Sequence, residues 1–294
     1  MSIEVNKAFV QKFADNFQHL AQQQGSKLRE TVRVQENVVG KYSNFDRLGA
    51  TTARLITSRH ADTPLIDTPH SRRRCVLSDF SWADLVDQPD QQKMLVSPTS
   101  EYLKAGVNAM GRAMDDEIIK SFDGSATSVS ADDTTSSVSF PSGNSISDGN
   151  TGLTLSKITQ ASKILSDSDV DPDEERFFVV SPAAVEDMLN TTNITSQDYN
   201  SVRVLMDGKM SSSTFMGFRW VMSTRLPVDS SDIRSCFAYT KSAMGLAIGM
   251  DITTSIDKRP DKNLALQPFC TMSVGSCRIE EEKIVRVYVD ETPD

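Results

Sequence analysis

Apolar residues along this chain change period several times, and each change predicts a different element. From Asn6 to Gln24, Phe9, Val10, Phe13, Phe17 and Leu20 recur at steps of three and four, which predicts an amphipathic helix ended by Gly25. Thr51 to Ser58 and Arg72 to Phe80 read as extended runs flanking a Pro-containing turn around Asp62 to His70. These runs carry too few large apolar residues for a core of their own, and an isolated two-stranded hairpin is marginal in water, so something outside the segment must hold it.

The longest helical stripe runs from Pro98 to Phe122, where Leu103, Val107, Met110, Met114, Ile118 and Phe122 share one face. It predicts a helix about 37 Å long. Ser97 is placed to cap it, Pro98 suits its first turn, and Gly124 is placed to close it in a left-handed conformation. Asp123 to Gly152 then shifts to Ser, Thr, Asp and Gly, which predicts a surface loop or weakly ordered excursion.

Beyond it the pattern mixes periods. It predicts helices at Leu155 to Ser166 and at Pro182 to Asn190, the second capped by Ser181, and strands at Arg176 to Val180 and Phe218 to Ser223. The chain then runs through Phe237 to Tyr239 and a helical turn near Lys241 to Gly245, and strands at Ile248 to Asp257, Leu264 to Val274 and Ile284 to Val289 complete it. The hairpin tip between the first two of those strands is Lys258 to Lys262. No internal repeat is visible, which disfavours solenoids and propellers. The fold class is α+β.

Composition narrows the function. The formal net charge of −9 gives no general attraction for nucleic-acid phosphates. Met1 to Lys12 contains no continuous apolar stretch and no segment approaches the length of a membrane span, so synthesis in the cytosol is expected, with no membrane partner. Cys75, Cys236, Cys270 and Cys277 lie far apart without a C-x-x-C pair, the usage of small core residues, and no disulfide is expected.

Candidate chemistry fails position by position. His19, His60 and His70 have no second ligand at metal spacing, and the G-x-S-x-G nucleophile turn is absent. Asp167, Asp169 and Asp171 begin like a calcium loop, but Pro172 stands where glycine is required and Phe178 where the bidentate acid belongs. Gly208-Lys209 lacks the rest of a phosphate cradle. Asp115, Asp116 and Glu117 diverge by about 100° per helical residue and cannot converge on one atom. No catalytic, metal or cofactor site is predicted, and the chain reads as a non-enzyme. A mixed α+β hydrolase with the Ser/Thr run as a lid, and a secreted adhesive protein, are the rival classes.

The order of features resembles the Hong Kong 97-type major capsid protein of tailed double-stranded-DNA bacteriophages, in its podovirus-like form. The segments that carry the resemblance are HSRRRCV (His70 to Val76), LVDQPDQQKM (Leu85 to Met94) and AMGRAMDDEIIKSFDG (Ala109 to Gly124), the last like a spine helix. FFVVSP (Phe177 to Pro182), MGFRWVMSTRLP (Met216 to Pro227), YTKSAMGLAIG (Tyr239 to Gly249) and VGSCRIEEEKIVRVYVDE (Val274 to Glu291) continue it in order. The resemblance implies an N-terminal arm at 1–49, an extended β-hairpin loop at 50–95, a spine helix with the first part of a peripheral domain at 96–152, an axial domain at 153–247, and the returning peripheral hairpin and strands at 248–294. The Ser/Thr/Asp-rich run has no counterpart in that plan.

It further implies self-assembly through pentamers and hexamers into an icosahedral shell that encloses DNA without sequence-specific binding. Its partners would be a separate scaffolding protein and a portal protein, with room for a cement or decoration protein outside. The location implied is the virion capsid, reached through the host cytoplasm during assembly; a bacterial nanocompartment shell, encapsulin-like, is the alternative from the same fold. Subunit contacts are expected from Arg72, Arg73 and Arg74 to acids of a neighbour at Asp87, Asp90 or Asp115, Asp116 and Glu117, and from Arg259, Asp261 and Lys262 at the hairpin tip. Phe9, Phe13 and Phe17 are the expected docking residues of the arm.

Overall fold

A computed structural model describes residues 21–60, 62–63, 65–87, 98–130, 132–190 and 214–292. The predicted arm helix and its Phe9, Phe13 and Phe17, together with Ser97 and Asp90, lie outside the described residues.

The strands, in chain order, are β1 (Arg33–Gln35), β2 (Tyr42–Leu48), β3 (His70–Val76), β4 (Ser78–Ala83), β5 (Ala126–Val129), β6 (Thr135–Val138), β7 (Ser145–Ile146), β8 (Arg176–Val180), β9 (Thr214–Phe215), β10 (Phe218–Met222), β11 (Ile233–Thr240), β12 (Met244–Arg259), β13 (Ala265–Arg278) and β14 (Ile284–Asp290). The helices are α1 (Pro98–Asp123), α2 (Leu155–Asp167) and α3 (Pro182–Asn190). Among the described residues three sheets result, with strand orders β1-β12-β13-β4, β7-β14-β11-β8-β10-β9 and β2-β3-β5-β6. The chain divides into two compact units, and the division falls within α1, β12 and β13.

The larger unit comprises 27–78, 114–250 and 273–294. Its six-stranded sheet is mixed: β8 and β10 run parallel, while β11 is antiparallel to both β8 and β14. The run Phe177-Phe178-Val179-Val180 in β8 is wholly buried, as expected of a central strand covered on both faces. Alternation sorts it. Phe177 and Tyr239 share one face, where the Phe122 ring from the end of α1 stacks on Phe237 at 4.7 Å and meets Tyr239 at 4.7 Å. Phe178 lies on the other face and meets Trp220 edge-on at 4.9 Å. The stripe Met114, Ile118 and Phe122 is therefore the side of α1 that the sheet removes from water.

Helix α2 packs on β14 through Ile158, Ala161 and Leu165, and it starts where Thr154 accepts the Lys157 amide. Buried Lys157 turns its ammonium back to three carbonyls, those of Thr151, Gly152 and Tyr288, so its charge is met although burial pushes its pKa down. The Ser181 hydroxyl accepts the Ala184 amide at the start of α3, the cap the sequence predicts.

The smaller unit comprises 1–26, 79–113 and 251–272. Here the backbone at Gly25 passes directly over α1 at Gly111, where a side-chain carbon would lie 2.4 Å from the Gly25 carbonyl carbon. Only glycine fits. Asn108 accepts the Gly25 amide and Arg112 donates to Gln22 and to the Gln23 carbonyl. Ala21 to Gln24 is not helical, so the predicted helix does not reach Gln24: polar groups of α1 take the backbone partners that a helix would need.

Four further expectations are corrected. Thr51 to Ser58 forms no ladder, because β3 pairs instead with Tyr42 to Leu48, in register from Tyr42↔Val76 to Leu48↔His70. The return run Arg72 to Phe80 is two strands that enter different sheets. Within Asp123 to Gly152, β5 and β6 form an ordered hairpin that extends the β2-β3 sheet. Short β-branched and hydroxyl residues suffice there because only Ala126 and Val129 of β5 must be buried. Gly124 closes α1 without a positive φ, its amide bonding to the Lys120 carbonyl, since Arg278 takes over the end of the helix.

Candidate subunit interface

Between the paired stems β2 and β3 lies a segment that the chain itself does not cover. The Gly49 amide reaches the Pro69 carbonyl at 2.8 Å, and past that bond every described residue from Ala50 to Thr68 is exposed and without a strand. Leu55, Ile56 and Leu65 stand 89%, 81% and 91% exposed. Large apolar side chains held in water on an extended loop are what an interaction surface looks like before its partner arrives.

The stem is held much more firmly. Phe45 and Cys75 are buried with Ala247, Cys277 and Ile279, and β3 crosses β13 so closely that a side-chain carbon at Gly275 would lie 2.1 Å from the Val76 carbonyl oxygen. Alternation on β3 divides the three expected interface arginines. Arg73 turns inward, 4% exposed, and donates to Glu281 at 2.7 Å. Arg72 and Arg74 turn the other way, to Asp46 at 2.6 Å and to Asp133 at 2.7 Å in the β5-β6 turn, and Arg74 also lies over the Tyr42 ring.

The expected acidic partners are likewise divided. Asp115 is buried and accepts the amides of Lys27 and Leu28 at 3.0 and 3.2 Å, fastening the start of the larger unit to its helix. Asp116 pairs with Arg225, and Glu117 with Lys120 at 3.6 Å. Asp87 is exposed. At the hairpin tip Arg259 forks onto Asp261 with two bonds of 2.8 Å, which holds the Asp261 carboxyl down at about 2, and the Lys262 amide closes the turn on the Arg259 carbonyl. Arg73 and Asp115 are thus internal fasteners, Arg74 and Glu117 are partly buried, and Arg72, Asp116, Asp87, Arg259 and Asp261 remain on the surface.

Two residues that sequence reasoning passed over organise this region. Arg278 is fully buried, and its guanidinium donates to the carbonyls of Phe122, Gly124 and Val138 at 2.9, 2.8 and 2.9 Å, capping α1 and holding β6 at once. Glu281 receives Arg73, Arg47 at 3.3 Å and Arg278 at 3.7 Å. No local signal marked them: Cys277 and Arg278 are consecutive and both buried, a break in strand alternation that only the folded chain shows.

An open groove of about 1130 Å³ in the larger unit is lined by Arg29, Arg33, Arg219 and Lys241 alongside Glu30, Glu174, Glu175 and Ser242, with charges of both signs. Among the described residues no group of His, Cys, Asp and Glu is arranged to hold a metal ion.

The architecture has many counterparts. The capsid protein of Ralstonia phage GP4 superposes with a TM-score of 0.75 at 8% identity, covering 100% of this chain and 99% of that one. The capsid protein of cyanophage P-SCSP1u gives 0.70 at 13% identity over 97% of this chain and 94% of that one. Mycobacterium phage Che8 gives 0.68 at 17% identity over 97% and 98%. The fold is accordingly the Hong Kong 97-type α+β capsid fold. No curated protein matches the sequence. The sequence nevertheless matches the family model described as phage capsid protein over residues 5–291, and the chain belongs to that family, whose members are built in many copies into the head shells of phage virions.

Proposed function

We propose that this major capsid protein assembles head-to-tail, each copy laying its 50–69 segment across the next to close rings of five and six that tile an icosahedral shell around double-stranded DNA. The observation that carries this reading is the exposed apolar series Leu55, Ile56 and Leu65 on a segment with no ladder of its own, beside a stem that is firmly anchored. A patch contributed by one copy and received by a different patch on the next is a heterologous contact, and such contacts make rings when the rotation closes. Arg72, turned outward on β3, lies on the same stem and can add an exposed pair with a neighbour worth about 0–1 kcal/mol.

A scaffolding protein, a portal and the packaged duplex are the partners this role calls for, with a decoration protein as a further one, and assembly would take place in the host cytoplasm. Net charge −9 suits a container whose wall must not grip the duplex entering it. The nanocompartment alternative gains no support from the family model, which describes a phage capsid protein, or from the phage structures named above. The test is replacement of residues 51–67 by an Asn-Gly turn, with folding read by circular dichroism and assembly by electron microscopy. Folded chains without closed particles are expected; normal shells would refute the role of the segment.

A further inference from the structure

Both stems of the exposed segment converge on one carboxylate. Arg47, the penultimate residue of β2, donates to Ser71 of β3 at 3.1 Å, to the Ile279 carbonyl at 2.6 Å and to Glu281 at 3.3 Å. Two residues farther from the tip, on the partner strand, Arg73 reaches the other oxygen of the same Glu281 at 2.7 Å. Glu281 is itself fixed: Asn144 donates to its carbonyl at 2.9 Å, and the Ile284 amide closes the turn on that same oxygen at 3.2 Å. The neighbouring Ile279 and Glu280 amides both bond the Ala243 carbonyl, so the whole turn is pinned.

Beyond Arg47 and Ser71 only the Leu48↔His70 pair and the Gly49 to Pro69 bond remain before the chain is unsupported. A two-stranded ribbon twists and bends readily, so the direction of its tip is set where its last side chains are tied to the body. We propose that Glu281 is a positioning residue for assembly: with Arg47 and Arg73 it clasps both stems, fixes the direction in which the 50–69 segment leaves the body, and thereby sets the angle between adjacent copies and the size of the shell. The inference rests on the reading of that segment as the intersubunit contact.

Arg47 is the place to test it. Removing Glu281 would strand the buried Arg73 charge and unfold the region, whereas Arg47 is partly exposed, at 23%, and its loss leaves the Arg73 pair intact. Arg47→Met is compared with Arg234→Met, which also removes three bonds, two to Glu291 and one to the Leu226 carbonyl, but does not touch the stems. Hydrogen exchange is followed at 42–48 and 70–76 in the full chain, and particle diameter by electron microscopy.

Arg47→Met is expected to speed exchange in the stems about tenfold, the scale of one charge-assisted bond, and to broaden or shift the diameters. Arg234→Met is expected to do neither. Unchanged stem exchange in Arg47→Met overturns the clasp, and equal changes in both variants overturn its specificity. Faster stems with wild-type diameters overturn its control of shell geometry. If the wild-type chain formed no particles even when co-produced with its scaffolding protein, the shell reading itself would fall, and the exchange comparison would still decide whether Arg47 holds the stems to Glu281.

Discussion

Replacing Arg278 with Met removes the cap on α1 while keeping most of the side-chain volume. Three main-chain carbonyls lose a charged donor, that of Phe122 in a buried site and those of Gly124 and Val138 in partly buried ones. Each orphaned acceptor costs about 1–3 kcal/mol, which bounds the loss at roughly 3–9 kcal/mol. Two terms offset part of it: burial holds the Arg278 pKa below its ordinary value, so the native guanidinium bears a desolvation cost, and nearby Arg73 repels it. Removal of one partner from a buried charged network costs about 3–5 kcal/mol in general, and that is the value expected here.

Because α1 ends on the Phe122, Phe237 and Tyr239 cluster, fraying at Phe122 reaches the centre of the six-stranded sheet. For a chain of this size each 1 kcal/mol lowers Tm by about 2–4 °C, so a fall of about 6–20 °C should appear in a thermal melt of the unassembled protein. Urea unfolding should show a lower midpoint at unchanged slope. A loss below about 1 kcal/mol would refute the reasoning, since it would mean that the three carbonyls are not desolvated or find other donors on relaxation.

Asp115→Ala should cost about 2–4 kcal/mol, because the amides of Lys27 and Leu28 lose a buried carboxylate acceptor, and exchange at those two amides should rise before any change at β8; rates unchanged from the wild type at both amides would argue against the contact. The Arg234 guanidinium holds Glu291 below its ordinary pKa. Since the folded-state pKa is the lower one, that pair's stabilisation is fully present above the unfolded glutamate value of about 4.3 and is lost as pH falls through the folded value. Acid titration of Arg234→Gln should therefore converge with the wild type below that window and separate from it above.

The sequence by itself determined the elements that satisfy themselves locally. The stripe from Leu103 to Phe122 demanded a long helix, the unbroken apolar run of β8 demanded a central strand, and Ser181 announced the start of α3. The family resemblance was legible because those elements occur in a distinctive order. What the tertiary structure decided were the pairings between distant residues, for which local pattern carries no information. Local pattern points to Thr51 to Ser58 as the partner of β3 and reads Arg29 to Gly49 as irregular chain, yet Tyr42 to Leu48 is the strand that pairs, because Phe45 has a buried site beside Cys277 and Ile279. The same holds for charge. Arg72, Arg73 and Arg74 look alike in sequence, yet β3 turns the middle one inward toward a glutamate more than two hundred residues away. A charged side chain reveals whether it is a fastener or a surface group only when its counter-charge is brought to it, and only the folded chain brings it.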